Sequence, residues 1–201
     1  MTDQAIILAR RKAAVKALNF FKYKAIQSAN NPLAFMFDPT GKKYASDVIA
    51  LCRSNHQPHN ANDIAQSLED SARTGFGNCN EKAAICYSSL KSDPYLTDGN
   101  HHVTMVGAVG YDHAYCVVSD NPLTPNMSIH RLGRLAMIVD GWTEDWYFPN
   151  LDIIGRTYGS AITFPNPRQA YIRIKTRNHQ LTPAVTIDTP NRKLKQTNNR
   201  F

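Results

Sequence analysis

The chain has 201 residues, 42% of them hydrophobic and 19% charged, which suits one soluble globular domain with its own core and is short for two. No apolar run approaches the roughly 20 residues needed to cross a bilayer. The net charge of +7 is concentrated at one end: from Arg168 onward eight basic residues stand against Asp188 alone, and the rest of the chain is balanced, so the basicity describes a tail and argues against a nucleic-acid-binding body.

At the N-terminus an apolar patch precedes Arg10, Arg11 and Lys12, the reverse of the charge order in a cleaved secretory signal. The expectation is a cytosolic chain, or one exported without such a signal. Residues 5–28 read as one long amphipathic helix. Ile6, Ile7, Ala13, Ala14, Leu18, Phe21 and Ile26 form an apolar stripe, opposed by a basic face of Arg10, Arg11, Lys12, Lys16, Lys22 and Lys24. Such a helix docks on a core or makes weak contact with a membrane surface. Asn30-Asn31-Pro32 breaks it. Pro39-Thr40-Gly41 reads as a turn, Ser46 to Cys52 as a short apolar segment and Ser54 to Asn62 as a polar loop. A second helix is expected from Ile64 to Arg73, capped by Asn62 or Asp63.

That helix leads into Gly75 to Leu90, GFGNCNEKAAICYSSL. Gly75, Phe76 and Gly77 read as a flexible turn, Asn78 as an N-cap, and Glu81 as the reciprocal partner of a capping box. Cys79 is then the first residue of a helix, where unpaired N–H groups and the helix dipole favour negative charge and so a reactive thiolate. A small residue packed at a helix start would look the same. Cys52, Cys86 and Cys116 are the other cysteines. Without a Cys-x-x-Cys pair a structural zinc site is not expected, and four in this length fit reduced thiols better than a disulfide framework. Cys86 and Cys116 read as core.

After Leu90 the texture changes to turn signals at Asp93-Pro94 and Thr97-Asp98-Gly99-Asn100, then short Val-, Ile-, Met- and Tyr-rich runs. Strands are predicted at Val103 to Val109, Ala114 to Ser119, Ser128 to Leu132, Leu135 to Val139 and Tyr171 to Lys175, with Gly110-Tyr111-Asp112 closing the first hairpin. Helices followed by strands make an α+β fold with an antiparallel sheet. Residues 1–177 form one domain, and 178–201 are expected to be a basic, mobile tail.

Among seven histidines, His113 opens the run HAYCVV, sharing a face with Tyr115 and Val117. It is either a polar edge residue or a base. The adjacent His101 and His102 point to opposite faces, a poor arrangement for a shared metal. Asp140 closes an apolar strand ahead of Gly141-Trp142. It is either a cap for that bend or a buried carboxylate in need of a partner. A cysteine at a helix start, a histidine opening one strand and an aspartate closing a later one can meet where a helix end packs on a sheet.

Cys79, His113 and Asp140, in the contexts GNCNEKA, DHAYCVV and AMIVDGW, resemble the transglutaminase-like branch of papain-fold cysteine enzymes over roughly residues 60 to 150. The nearest likeness is to bacterial effectors secreted into host cells, in which an aspartate–aromatic segment resembles Asp140-Gly141-Trp142 and Trp146-Tyr147-Phe148-Pro149. The resemblance implies a thiol protease, glutamine deamidase or transglutaminase acting on a host protein, with virulence as its setting and no cofactor. It implies Cys79 as nucleophile, His113 as acid and base, and Asp140 as the group that orients the ring. Trp142 would shield the Asp140–His113 pair. The backbone N–H of Cys79 would be one oxyanion donor, with Gln66 and Asn78 as candidates for the other. The alternative is a non-catalytic binding module of the same fold whose basic tail contacts an anionic partner.

Overall fold

Twenty-two residues, Asp3–Lys24, form α1. Thr2 caps it by accepting a hydrogen bond from the Ala5 N–H at 3.3 Å, and Ala25, at φ 50°, ends it in the left-handed region. Ala13, Ala14, Ala17, Leu18 and Phe21 are buried along one stripe, as the sequence pattern requires. Of the basic face only Arg10 is buried; Arg11, Lys12, Lys16, Lys22 and Lys24 are exposed. Arg10 is 1% exposed, paired with Asp120 at 2.8 Å and donating to the Leu135 carbonyl. Arg11 lies 5.3 Å from the Trp146 ring, Lys12 lies 5.1 Å from that of Tyr95, and Lys16 reaches Asp93 at 3.1 Å. These side chains tie α1 to the body of the domain.

The structure, a computed structural model, describes residues 1–31, 34–56, 63–97, 101–108, 113–124, 127–151, 153–156 and 180–183. Helix α2 runs Pro39–Asn55, where a turn, a short apolar segment and the start of a loop were expected. Asp38 accepts from the Gly41 N–H at 2.7 Å, so Asp-Pro-Thr-Gly is a helix start, with proline where its missing N–H costs nothing. Helices α3, Ile64–Thr74, and α4, Cys79–Lys91, stand where the sequence placed them. Asp63 holds the N-cap position of α3 without a side-chain capping bond. Asp93 starts the short α5, Pro94–Thr97, by accepting from the Tyr95 N–H at 2.9 Å.

Among the described residues seven strands form one sheet: β1 His102–Ala108, β2 Ala114–Ser119, β3 Met127–Ser128, β4 Met137–Asp140, β5 Asp145–Phe148, β6 Ile153–Arg156 and β7 Gln180–Pro183. Their order is β3-β7-β1-β2-β4-β5-β6, and every pairing is antiparallel. The fold is therefore α+β. Ser128 to Leu132, expected as a strand, keeps only the end of β3 and then turns through a 3-10 helix at Ile129–Leu132. Strand β5 was not anticipated, although DWYF is rich in strand-forming aromatics. Gln180–Pro183, within the segment expected to be a tail, pairs with β1 and β3. Gly110-Tyr111-Asp112, Tyr171 to Lys175 and residues 184–201 lie outside the described residues.

Helix α4 lies at the centre, packed on α1, α3 and the sheet. Its Ala83, Ala84, Ile85, Cys86 and Leu90 join Phe21 of α1 and Met105, Cys116, Met137, Val139 and Phe148 of the sheet in one core. The reverse face of the sheet buries a smaller cluster around Val106, Tyr115, Val117, Ile138 and Tyr147, as two-residue alternation demands. The turn from β4 to β5, residues 141–144, meets the first turns of α4. A β-carbon on Gly141 would lie 2.8 Å from Phe21 Cζ and 3.0 Å from the Lys82 carbonyl oxygen, so only glycine permits this approach. Gly141→Ala should therefore lower stability by about 1–3 kcal/mol through overpacking. Urea denaturation of the two chains checks it, and an unchanged midpoint would mean that the turn does not depend on this contact.

Candidate active site

Cys79 sits at the first position of α4 because the turn before it is rigidly tied. Gly75, at φ 74°, ends α3 in a conformation that other residues strain to adopt. The Gln27 N–H donates to the Gly75 carbonyl at 2.8 Å and the Gly77 N–H to the Gln27 carbonyl at 2.9 Å. Ser28 Oγ donates to the Gly77 carbonyl at 2.8 Å. The turn read as flexible is thus a short parallel bridge to the segment that follows α1. The capping box forms: the Asn78 N–H donates to Glu81 Oε2 at 2.9 Å.

Glu81 and its neighbour Lys82 are both charged and both buried. Arg53 of α2 grips the Glu81 carboxylate with two bonds, at 2.6 and 2.8 Å. Lys82 Nζ donates to Glu144 at 3.2 Å and lies 5.1 Å from the Phe21 ring. Glu144 itself has φ 55°, so the ion pair holds a strained residue of the β4–β5 turn. Adjacent residues of one helix therefore anchor it in two directions, to α2 and to the sheet.

The sheet brings the other two residues of the trio to this end. Cys116 pairs with Val139 across β2 and β4, so the start of β2 and the end of β4 lie side by side, with His113 just before one and Asp140 closing the other. His113 Nε2 and Asp140 Oδ2 are 2.8 Å apart. The ring also shares a hydrogen bond with the Cys79 side chain. Cys79, His113 and Asp140 are 5%, 7% and 2% exposed, so the row is held out of bulk water.

Both readings of Asp140 are correct at once. Oδ2 holds the histidine, while Oδ1 accepts from the Trp142 and Thr143 N–H groups at 2.9 and 3.3 Å. Burial pushes the carboxyl pKa up, but the His113 charge and these hydrogen bonds outweigh it and hold the group below its usual range. For His113, burial opposes the charged ring. The Asp140 charge and hydrogen bond, with the bond to Cys79, overcome that and raise its pKa from 6.5 to about 10. Trp142 stands edge-on to the imidazole with centroids 5.8 Å apart, the shielding position expected of it. Its Nε1 donates to Asn30 Oδ1 at 2.8 Å.

Gln66 does not join the trio; its amide donates to Asp70, one turn along α3, at 3.4 Å. Asn78 is adjacent to Cys79, with Oδ1 accepting the Asn30 N–H at 3.3 Å. Asn30, read from the sequence only as part of a helix-breaking run, is thereby drawn to the site. Nothing local to Asn-Asn-Pro signals this.

Cys52, His56 and Asp70 line a separate cleft, with His56 Nδ1 3.2 Å from Asp70. Cys52 lies in the closing turns of α2, at the negative end of the helix. Burial and the nearby Asp70 push its thiol pKa up. This grouping therefore lacks the electrostatics that suit a nucleophile. Cys86 and Cys116 are fully buried with thiols pushed far up by burial, and Cys116 donates to the Ala83 carbonyl at 3.1 Å. Both are core, as expected. Among the described residues no group of three or more His, Cys, Asp or Glu is placed to hold a metal ion, and no helix is long and apolar enough to cross a membrane.

A connected thiol, imidazole and carboxylate at a helix N-terminus can generate a nucleophile and shuttle a proton. No family model, curated protein or solved structure matches the chain. Because the folded pKa of His113 lies above its ordinary value, the stabilisation from its protonation is fully present below about pH 6.5 and is lost as pH rises through about 10. For Asp140, held low, the contribution is present above the ordinary carboxyl value of 3.8 and lost as pH falls. An NMR titration of the His113 Cε1–H should show a charged ring at neutral pH; an inflection near 6.5 would contradict the pairing with Asp140.

Proposed function

We propose that this chain is a thiol-dependent amide hydrolase or acyl transferase, a cysteine protease or protein glutamine deamidase in character, built on a papain- or transglutaminase-like arrangement and acting on a protein substrate in a host cell. One observation carries the reading: Cys79 starts a buried helix and shares a hydrogen bond with a histidine that Asp140 also holds.

Cys79 attacks an amide carbonyl as the thiolate. The S–C bond forms, and the carbonyl π electrons move to oxygen, facing the N–H groups at the helix start. As the carbonyl re-forms, the C–N bond breaks and His113, as imidazolium, gives its proton to the departing nitrogen. The product is a thioester on Cys79. His113, now neutral, takes a proton from water or an amine, which attacks the thioester and restores the thiol. Asp140 keeps the ring oriented and stabilises its charged form. Trp142 excludes water from the Asp140–His113 bond, which strengthens it.

Iodoacetamide should alkylate Cys79 well ahead of Cys52, Cys86 and Cys116, and His113→Ala should slow that labelling by at least about tenfold. Peptide mapping over time checks both; equal labelling of Cys79 and Cys52 would remove the nucleophile. Intact-mass comparison of a host proteome treated with the wild type and with Cys79→Ala then separates the chemistries. New fragments identify a protease, a gain of about one mass unit a deamidase, and linked species a transglutaminase.

A further inference from the structure

We infer that His101 is an acid-sensitive clasp: as a neutral ring it fastens α1 to the sheet through Arg10, and once protonated it lets α1 loosen, independently of the cysteine chemistry proposed above. Arg10 reaches from α1 to His101, the residue just ahead of β1. Its Nε donates to His101 Nδ1 at 3.3 Å, and its Nη2 approaches the same nitrogen at 3.0 Å. A guanidinium carries donors only. Nδ1 must therefore present its lone pair, and in the neutral ring the proton sits on Nε2. Arg10 thus holds one protonation state of the histidine and is incompatible with the other.

The surroundings give a protonated ring no ready place. Nε2 is buried and has no partner among the described residues. A proton on Nδ1 would point at the Arg10 N–H groups and set one cation against another. Asp120, which follows β2, is already in use. Its Oδ1 pairs with Arg10 at 2.8 Å, and its Oδ2 accepts from the Leu135 N–H at 3.0 Å. It is also hemmed in by Gly133, at φ 104°, where a β-carbon would collide with the carboxylate. The charged and titratable groups that act on the ring are Arg10 from α1, Asp120 from the end of β2 and His102 beside it. Burial first, then the Arg10 and His102 charges, outweigh Asp120 and hold the His101 pKa below its ordinary 6.5. The stability that depends on the neutral ring is therefore present above 6.5 and is lost as pH falls through the lowered value. The helix so released carries Phe21, whose ring lies against Gly141 in the turn after Asp140. The domain is accordingly built to be firm at neutral pH and to loosen in an acidified compartment.

Urea denaturation of the full chain at neutral and at mildly acid pH tests the clasp in the wild type and in His101→Asn. The asparagine Oδ1 stands where Nδ1 stood and takes up no proton. From about pH 7.5 to about pH 5 the unfolding equilibrium constant should rise on the order of tenfold more in the wild type than in the variant. The other histidines are common to both chains and cancel. An equal change in the two chains would overturn the clasp. NMR of the wild-type ring nitrogens needs no variant: at neutral pH the proton should be on Nε2, the ring should titrate below 6.5, and amide exchange in α1, corrected for its intrinsic pH dependence, should quicken as the ring charges. A proton on Nδ1 at neutral pH, or α1 amides whose protection does not follow the ring, would equally overturn it.

Discussion

The close approach of the β4–β5 turn to the first turns of α4 is the constraint on which the rest of the site depends. It exists because Gly141 has no side chain to hold Phe21 and the Lys82 carbonyl away, and because the Lys82 ammonium, buried inside the domain, pairs with Glu144 at the far end of the same turn. A lysine held this deep requires a partner, since an unpaired buried charge is strongly destabilising. The pair therefore fixes the position of the turn as well as stabilising it. Asp140 directly precedes the turn, so whatever fixes the turn also fixes the carboxylate.

The opposite side of the helix start is anchored by the bidentate Arg53–Glu81 pair. Planar guanidinium and carboxylate groups match in only one relative orientation, so this contact sets rotation as well as distance. Glu81 also receives the Asn78 N–H. A single carboxylate thus links α2, the N-cap and the helix that carries Cys79. The charged residues of GNCNEKA are a scaffold for the sulfur, turned inward and not solvated.

The electrostatics follow from that scaffold. A carboxylate 2% exposed is tolerated because His113 and two backbone N–H groups use its lone pairs. The histidine in turn is held in its charged form by the carboxylate. Cys52, in the last turns of α2 and near Asp70, lies in surroundings that disfavour a thiolate.

Local chemistry written into neighbouring residues was readable without coordinates. The cap and bounds of α4, the extent of α3 and strand β2 all rest on interactions within a few positions or on simple alternation. Features that depend on what arrives from elsewhere were not readable. Arg10 looked like a surface cation until Asp120 and the Leu135 carbonyl met it inside the domain. Pro39-Thr40-Gly41 looked like a turn because a proline one residue into a helix and a proline in a turn have the same φ. Asn30 reached the site only because Gln27 pairs with the turn before α4 and Trp142 folds over to meet it. The amino-acid order by itself placed Cys79 at a capped helix start, His113 ahead of one strand and Asp140 at the end of another, since periodicity and capping are local. Tertiary structure alone decided that they meet and what surrounds them, because close packing and the pairing of buried charges are settled between segments that share no sequence neighbourhood.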